Sequence, residues 1–404
     1  MMQDRNTTVR IYAEWMFDGD DVVPGSGILL GVSGSHIAAV RAGANPEEAD
    51  LQFSGCSVLP GLIDSHVHLC FSAGRTHAEV VEDLLKSDGD QLLQRAIKHA
   101  QQALKAGITT LRDCGGPTQV LLALRTLVNQ GKLPGPEVLV SGSPITTPKG
   151  HLYYVGAPAT GAEDVERRTD DLLEAGVDFV KLIVTGGNMT PESNRLGCQY
   201  SAEEIKRAVR CAERANRYIA AHVLNREGLR RAVLAGVRTL EHCSWRTGLV
   251  HHEFDEGLAR LMRQQGQIAS LTMSAPTWRK VWPEMGKLDP ELFRDLEDRF
   301  ASERQMIESG VRFILHTDAG VRQTPVGISL IYGLRAAQLE LGLSSVECLR
   351  AVTGHAADAL GLVDRGRLRV GQRADIVVVK GRPWQDLSAL HEIRGVWCGG
   401  KRCV

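Results

Sequence analysis

One pattern constrains this chain more than any other. Four times through its middle, an Ala-Gly or Ser-Gly pair is followed by a β-branched or apolar run that ends in polar residues. The copies start at Ala106-Gly107, Ala175-Gly176, Ala235-Gly236 and Ser309-Gly310, and they run to Asp113, Leu182, His242 and His316. A glycine there suits a helix C-cap, where a left-handed residue stops the helix. The run after it suits a strand buried in a parallel sheet. Amphipathic stretches such as 91–105 and 203–217 precede the copies. Strands alternating with helices predict an α/β fold with right-handed crossovers. Candidate strands lie near 58–66, 108–113, 137–142, 177–184, 218–223, 237–242, 267–273 and 311–317. Eight such units match a (β/α)8 barrel, the TIM-barrel architecture. A doubly wound open sheet is the alternative. Polar residues recurring at strand C-terminal ends favour the barrel.

The two ends of the chain read differently. Residues 8–57 and 366–404 look like short strands separated by turns. Neither set alone makes a stable sheet domain. Together they predict a small β-sandwich-like domain, with the barrel at 58–365 inserted between its halves. The 47 basic and 48 acidic residues give a net charge of -1. That balance argues against a nucleic-acid partner. No apolar run is long enough to cross a membrane, and Met1–Arg10 is too polar for a secretory signal. The nine cysteines are scattered, with no C-x-x-C pair. They read as reduced thiols in a cytoplasmic protein.

The strongest chemical signal is His66-Val67-His68 at the end of the first barrel strand. Residues i and i+2 of a strand point the same way, so both imidazoles can reach one ion. Further candidates sit on later strands: Lys181 on the fourth, His222 on the fifth, His242 on the sixth and Asp318 after the eighth. Each alone has a bland reading as a capping or buried polar residue. In a parallel barrel, however, all C-terminal strand ends share one face.

The order H-x-H, Lys, His, His, Asp resembles the amidohydrolase superfamily. So do the segments 58–68, 109–113 and 366–376. The branch it is most similar to contains imidazolonepropionase-related, prolidase-like and carboxypeptidase-like enzymes. The resemblance implies a centre of two divalent ions, most often zinc. His66, His68 and Asp318 would hold one ion, and His222 and His242 the other. Lys181, carboxylated by carbon dioxide, would bridge both, because an ammonium group cannot ligate a cation while a carbamate offers anionic oxygens. Asp318 would then move a proton from the attacking water to the leaving nitrogen. His151, in the loop after the third strand, would donate a hydrogen bond to the substrate carbonyl. The implied reaction is hydrolysis of a C–N bond in a small amide, dipeptide, N-acyl amino acid, cyclic imide or carbamate. Similar proteins are often homo-oligomers.

Two other readings stand beside this one. A mononuclear deaminase of the same superfamily usually has an acid three residues after the fifth-strand histidine and lacks the lysine; here that position is Asn225. A metal-free scaffold would tend to lose the ligand set. Arg112 and Asp113 read as structural and His316 as a neighbour of the ligands. His355 stands where the family usually has asparagine, and its role is open. Tyr153, Tyr154 and Tyr200 are candidate substrate contacts, while His77, His99, His251 and His252 carry no spacing signal. The pocket is expected from loops 71–76, 146–156, 186–197, 274–285 and 320–327. Arg279 and Lys280, beside Trp278 and Trp282 and followed by a helical stretch to Phe300, read either as a lid with basic groups for a substrate carboxylate or as a solvated helix anchored by tryptophans.

Overall fold

The computed structural model describes residues 8–190, 192–282 and 295–404. The four motif glycines adopt left-handed φ values of 78°, 88°, 83° and 85° at Gly107, Gly176, Gly236 and Gly310, as helix-ending caps require. Behind each lies a strand.

The N-terminal strands are β1 (Val9–Met16), β2 (Ile28–Ser33), β3 (His36–Arg41) and β4 (Leu51–Pro60). The central strands are β5 (Leu62–Val67), β6 (Ile108–Asp113), β7 (Glu137–Val140), the short β8 (Ile145–Thr146) and β9 (Ala157–Pro158), β10 (Val180–Ile183), β11 (Ile219–His222), β12 (Thr239–Glu241), β13 (Ile268–Thr272) and β14 (Phe313–His316). The last three are β15 (Ile376–Lys380), β16 (Ile393–Cys398) and β17 (Lys401–Arg402).

All pairings among the central strands are parallel. They form a sheet β5-β6-β7 and a sheet β14-β13-β12-β11-β10-β8-β9. Val67 bridges Ala319 in parallel, which brings β5 beside the segment after β14. At the other seam the Asp178 amide donates to the Val140 carbonyl at 2.8 Å. The strands are short and buried on both faces, as expected for a parallel sheet wrapped by helices.

Strands from both chain ends share a third sheet, in the order β17-β16-β15-β4-β1-β2-β3. Where a sandwich-like pair of layers is expected, the strands form one continuous ladder. In β15 the alternation is clear: Ile376 and Val378 pack with Ile11, Leu30 and Val58, while Val377 and Val379 pack into the main core. The strand expected at 58–66 divides at Gly61. Residues 58–60 end β4 and pair with β15, and the parallel strand begins only at Leu62. Among the described residues no helix is long and apolar enough to cross a membrane. All nine cysteines are free.

Candidate metal centre

The site grows from the end of β5. The ladder between β5 and β6 shifts register between Asp64 and Val67, an irregularity that re-aims side chains. His66 and His68 follow from it, and both are buried. The segment after β14 docks against them through two backbone bonds. The Asp318 amide donates to the His66 carbonyl at 2.9 Å, and the His68 amide to the Ala319 carbonyl at 2.7 Å. Asp318 there takes a left-handed φ of 58°, unfavourable for a non-glycine residue. Asp64 holds the turn in place: its carboxyl accepts from the Thr317 hydroxyl at 2.6 Å and from the Thr317 amide at 3.2 Å. Burial raises the Asp64 pKa to about 7.

This docking sets Asp318 Oδ1 3.3 Å from His66 Nε2 and 3.2 Å from His68 Nε2. The opposite ring nitrogens are already engaged. His66 Nδ1 lies 2.9 Å from Glu241 Oε2, and His68 Nδ1 lies 2.8 Å from the Gly115 carbonyl. With Nδ1 donating to these oxygens, each Nε2 is left to face Asp318, as a proton donor to the carboxylate or, with a cation between them, as a ligand. Burial works against a charged His68, but Asp318 outweighs it and raises its pKa. Burial, then the charge of Lys181, pushes His66 well below its ordinary value. Burial likewise opposes ionisation of Asp318, yet the imidazoles beside it hold its carboxyl well below the usual range. The trio thus seeks a positive charge. It is one of the residue groups whose ligand atoms are close enough together to hold a metal ion.

His222 ends β11, and His242 follows β12 with a left-handed φ of 66°. His242 Nε2 lies 2.9 Å from His222 Nδ1, and His242 Nδ1 lies 2.6 Å from the Thr272 hydroxyl. The rings of His66 and His242 are 5.2 Å apart, which links the two histidine pairs. Lys181 sits one residue into β10 rather than at its C-terminal end. Its side chain is buried, and its Nζ has no hydrogen-bond partner among the described residues. A buried amine with no partner is costly unless something else meets it. Its charge acts on His66, His222 and His242 alike.

The His151 ring packs against that of His222, tilted by 34° with centroids 4.6 Å apart. Burial lowers its pKa to about 3, and its Nδ1 has no partner among the described residues. Gly187 makes room for it, since a Cβ at 187 would lie 2.5 Å from His151 Nε2. His316 stacks on His66 at 4.5 Å and bonds outward, with Nε2 3.2 Å from the Ser270 carbonyl.

A cavity of about 170 Å³ opens over His151, His222, His242 and Asp318. Arg195, Arg246, Arg299 and Arg322 also line it, with Asp295. Arg246 pairs with Asp295 and donates to the Leu249 carbonyl. Arg299 donates to Glu303 at 2.8 Å and to the Thr272 carbonyl at 2.7 Å.

The family model of the amidohydrolases matches residues 57–403. The chain belongs to the amidohydrolase family. Ochratoxinase of Aspergillus niger is 25% identical over 97% of this chain and 85% of its own length. Imidazolonepropionase of Mesorhizobium japonicum is 25% identical over 84% of this chain and 82% of its own. Among solved structures, a Xaa-Pro dipeptidase with bound methionine in its active site superimposes with a TM-score of 0.81 and 26% identity, covering 98% of this chain and 100% of the other.

Several expectations change in the structure. Arg279 and Lys280 do not line the cavity; both are tied to the Glu340 carboxylate, at 3.1 and 2.7 Å. Part of the expected helical stretch before Phe300, residues 283–294, lies outside the described residues. Tyr154 and Tyr200 spend their hydroxyls on the Met189 and Ala159 carbonyls, Tyr153 is exposed, and none of the three lines the cavity. His355 is exposed on the helix Gly354–Leu360, away from the site. His77 and His252, which carry no sequence signal, do line the cavity.

Proposed function

We propose that this chain is a metal-dependent hydrolase that cleaves the C–N bond of a small amide carrying a carboxylate, such as a dipeptide or an N-acyl amino acid. One observation carries the reading: the convergence of His66 Nε2, His68 Nε2 and Asp318 Oδ1, in a cluster whose histidines also feel the amine of Lys181, buried without a partner among the described residues. The relatives support the chemistry. The Xaa-Pro dipeptidase, with its bound methionine, supports a substrate that ends in an amino acid. The bridge at Val67 and the bond at Asp178 support one closed (β/α)8 barrel. The shared sheet supports a composite terminal domain reaching to Pro60.

His66, His68 and Asp318 would hold one divalent ion, and His222 and His242 a second, with a carboxylated Lys181 between them. When bound, such ions, zinc best suiting imidazole and oxygen donors, would supply a polarising charge and an acidified water. Asp318 accepts the proton of the attacking water and passes it to the leaving nitrogen. His151, neutral because it is buried, donates a hydrogen bond to the substrate carbonyl oxygen. Arg246 and Arg299, held by their own carboxylates, keep N–H groups to spare for the substrate carboxylate.

The test combines metal content by plasma mass spectrometry with a screen of N-acyl amino acids and dipeptides beside their C-terminal amides. About two ions per chain and faster cleavage of the free acids are expected. One ion per chain with ammonia release, or no metal after supplementation, overturns the reading.

A further inference from the structure

We propose that Glu241 is a positioning residue that makes the His66 half of the centre the tighter holder of metal. The inference rests on the metal-dependent reading above. Glu241 ends β12, and its side chain is fully buried behind His66. Its Oε2 faces His66 Nδ1 at 2.9 Å. Its Oε1 accepts from Arg112 Nη2 at 2.7 Å and from the Thr239 hydroxyl at 2.7 Å. Arg112 is itself fixed: Nε donates to the Ser65 carbonyl at 2.5 Å, Nη1 lies 3.0 Å from the Thr239 hydroxyl, and the guanidinium lies 5.1 Å over the Phe179 ring. Strands β5, β6 and β12 thus converge on one carboxylate.

His66, Glu241 and Cys114 have ligand atoms close enough together to suggest an ion site of their own. Arg112 already supplies the cation there. The carboxylate therefore faces outward to the centre through His66.

The other histidines are backed differently. His68 Nδ1 meets a neutral carbonyl at Gly115, and His242 Nδ1 meets the Thr272 hydroxyl. Of these three, His66 is the one whose Nδ1 directly meets a charged group among the described residues. A carboxylate behind an imidazole fixes its tautomer and orientation and strengthens the far nitrogen as a donor. Losing such a partner typically weakens metal binding about 10–100-fold. The half built on His66, His68 and Asp318 should therefore release its ion last.

The test uses the full-length protein loaded with zinc and titrated against a chelator, with zinc retained per chain as the readout. The wild type is expected to lose its metal in two steps. Glu241→Gln should weaken the tighter step about 10–100-fold and leave the weaker one in place. Thr272→Val should shift only the weaker step. A Gln beside an unpaired buried guanidinium risks misfolding, so the double variant Arg112→Met with Glu241→Gln is run alongside, with thermal unfolding to confirm that it folds. An unchanged tight step in either folded variant overturns the proposal and leaves the hydrolase reading standing. A wild type that binds no zinc overturns both.

Discussion

The parallel strands have two ends, and the larger opening is at the end without the histidines. At their N-terminal ends lies a groove of about 700 Å³, bordered by Lys206, Arg210, Arg238 and Arg312. At their C-terminal ends the cavity is only about 170 Å³. The difference lies in what the polar groups are doing. In the groove, Arg238 donates to the Ala359 and Asp358 carbonyls at 2.9 and 3.1 Å, and Arg312 donates to the Gly266 carbonyl at 2.6 Å. Those cations tie neighbouring backbone segments to the central strands. At the other end, Lys181 Nζ and His151 Nδ1 are buried without partners among the described residues, and His242, Cys243 and Asp318 are among the non-glycine residues that hold left-handed φ values. Among the described residues the groove also holds one unmet buried atom, the Gln267 amide oxygen, but Lys181 Nζ and His151 Nδ1 are nitrogens of ionisable groups, and these mark function better than volume does.

Substitutions at the two ends should therefore differ in kind. The largest effect is expected from Asp318→Asn, which should lower kcat about 10³-fold or more by removing the proton carrier. A kcat within tenfold of wild type in steady-state assays would erase the contrast. Lys181→Met fills the same buried space without an amine. The chain should fold, as judged by circular dichroism, but hold at most about one ion in place of two by plasma mass spectrometry. His151→Asn should cost about 10²-fold in kcat with little change in KM, the pattern of a bond made mainly in the transition state.

Arg299→Met sharpens the comparison at the cavity wall. It should raise KM about tenfold or more for free-acid substrates and leave their C-terminal amides unaffected, the scale of one lost hydrogen bond to a charged group. The smallest effect belongs to the opposite end. Arg238→Ala should lower stability by about 1 kcal/mol, seen as a reduced Tm, with kcat/KM unchanged at a permissive temperature. A loss of activity there would mean that the groove also takes part in function.

The same division explains what was legible in the sequence. Strand periodicity and glycine caps are local, so the strands at 108–113, 219–222 and 268–272 could be read directly. The spacing of His66 and His68 is local too. Lys181 carries no spacing signal; its place on the fourth strand makes it a candidate, and the family resemblance gives it a role. Glu241 is hidden differently. Its partners, Arg112 and His66, are 129 and 175 residues away in sequence, and a glutamate beside a histidine is unremarkable until the strands converge. The two readings of Arg279 and Lys280 stay open in sequence for the same reason. Two adjacent cations look available, but Glu340, about 60 residues on, takes both. The division at Gly61 is hard to see in sequence because the apolar pairs Val58-Leu59 and Leu62-Ile63 stand close on either side of Pro60-Gly61, although they belong to different sheets.

The shared terminal sheet bears on how the protein is made. Strand β4 lies between β1, synthesised just before it, and β15, synthesised more than 300 residues later. A ribosome releases the chain from its N-terminus at about 5–20 residues per second. For tens of seconds after β4 emerges, its edge has no β15 to pair with, and an apolar strand edge invites association with other chains. The central strands can begin to assemble during that interval, and the sheet closes last. A nascent chain stalled before β15 would carry every candidate ligand and still expose the open edge of β4, which gives chaperones and proteases a feature by which to tell unfinished chains from finished ones.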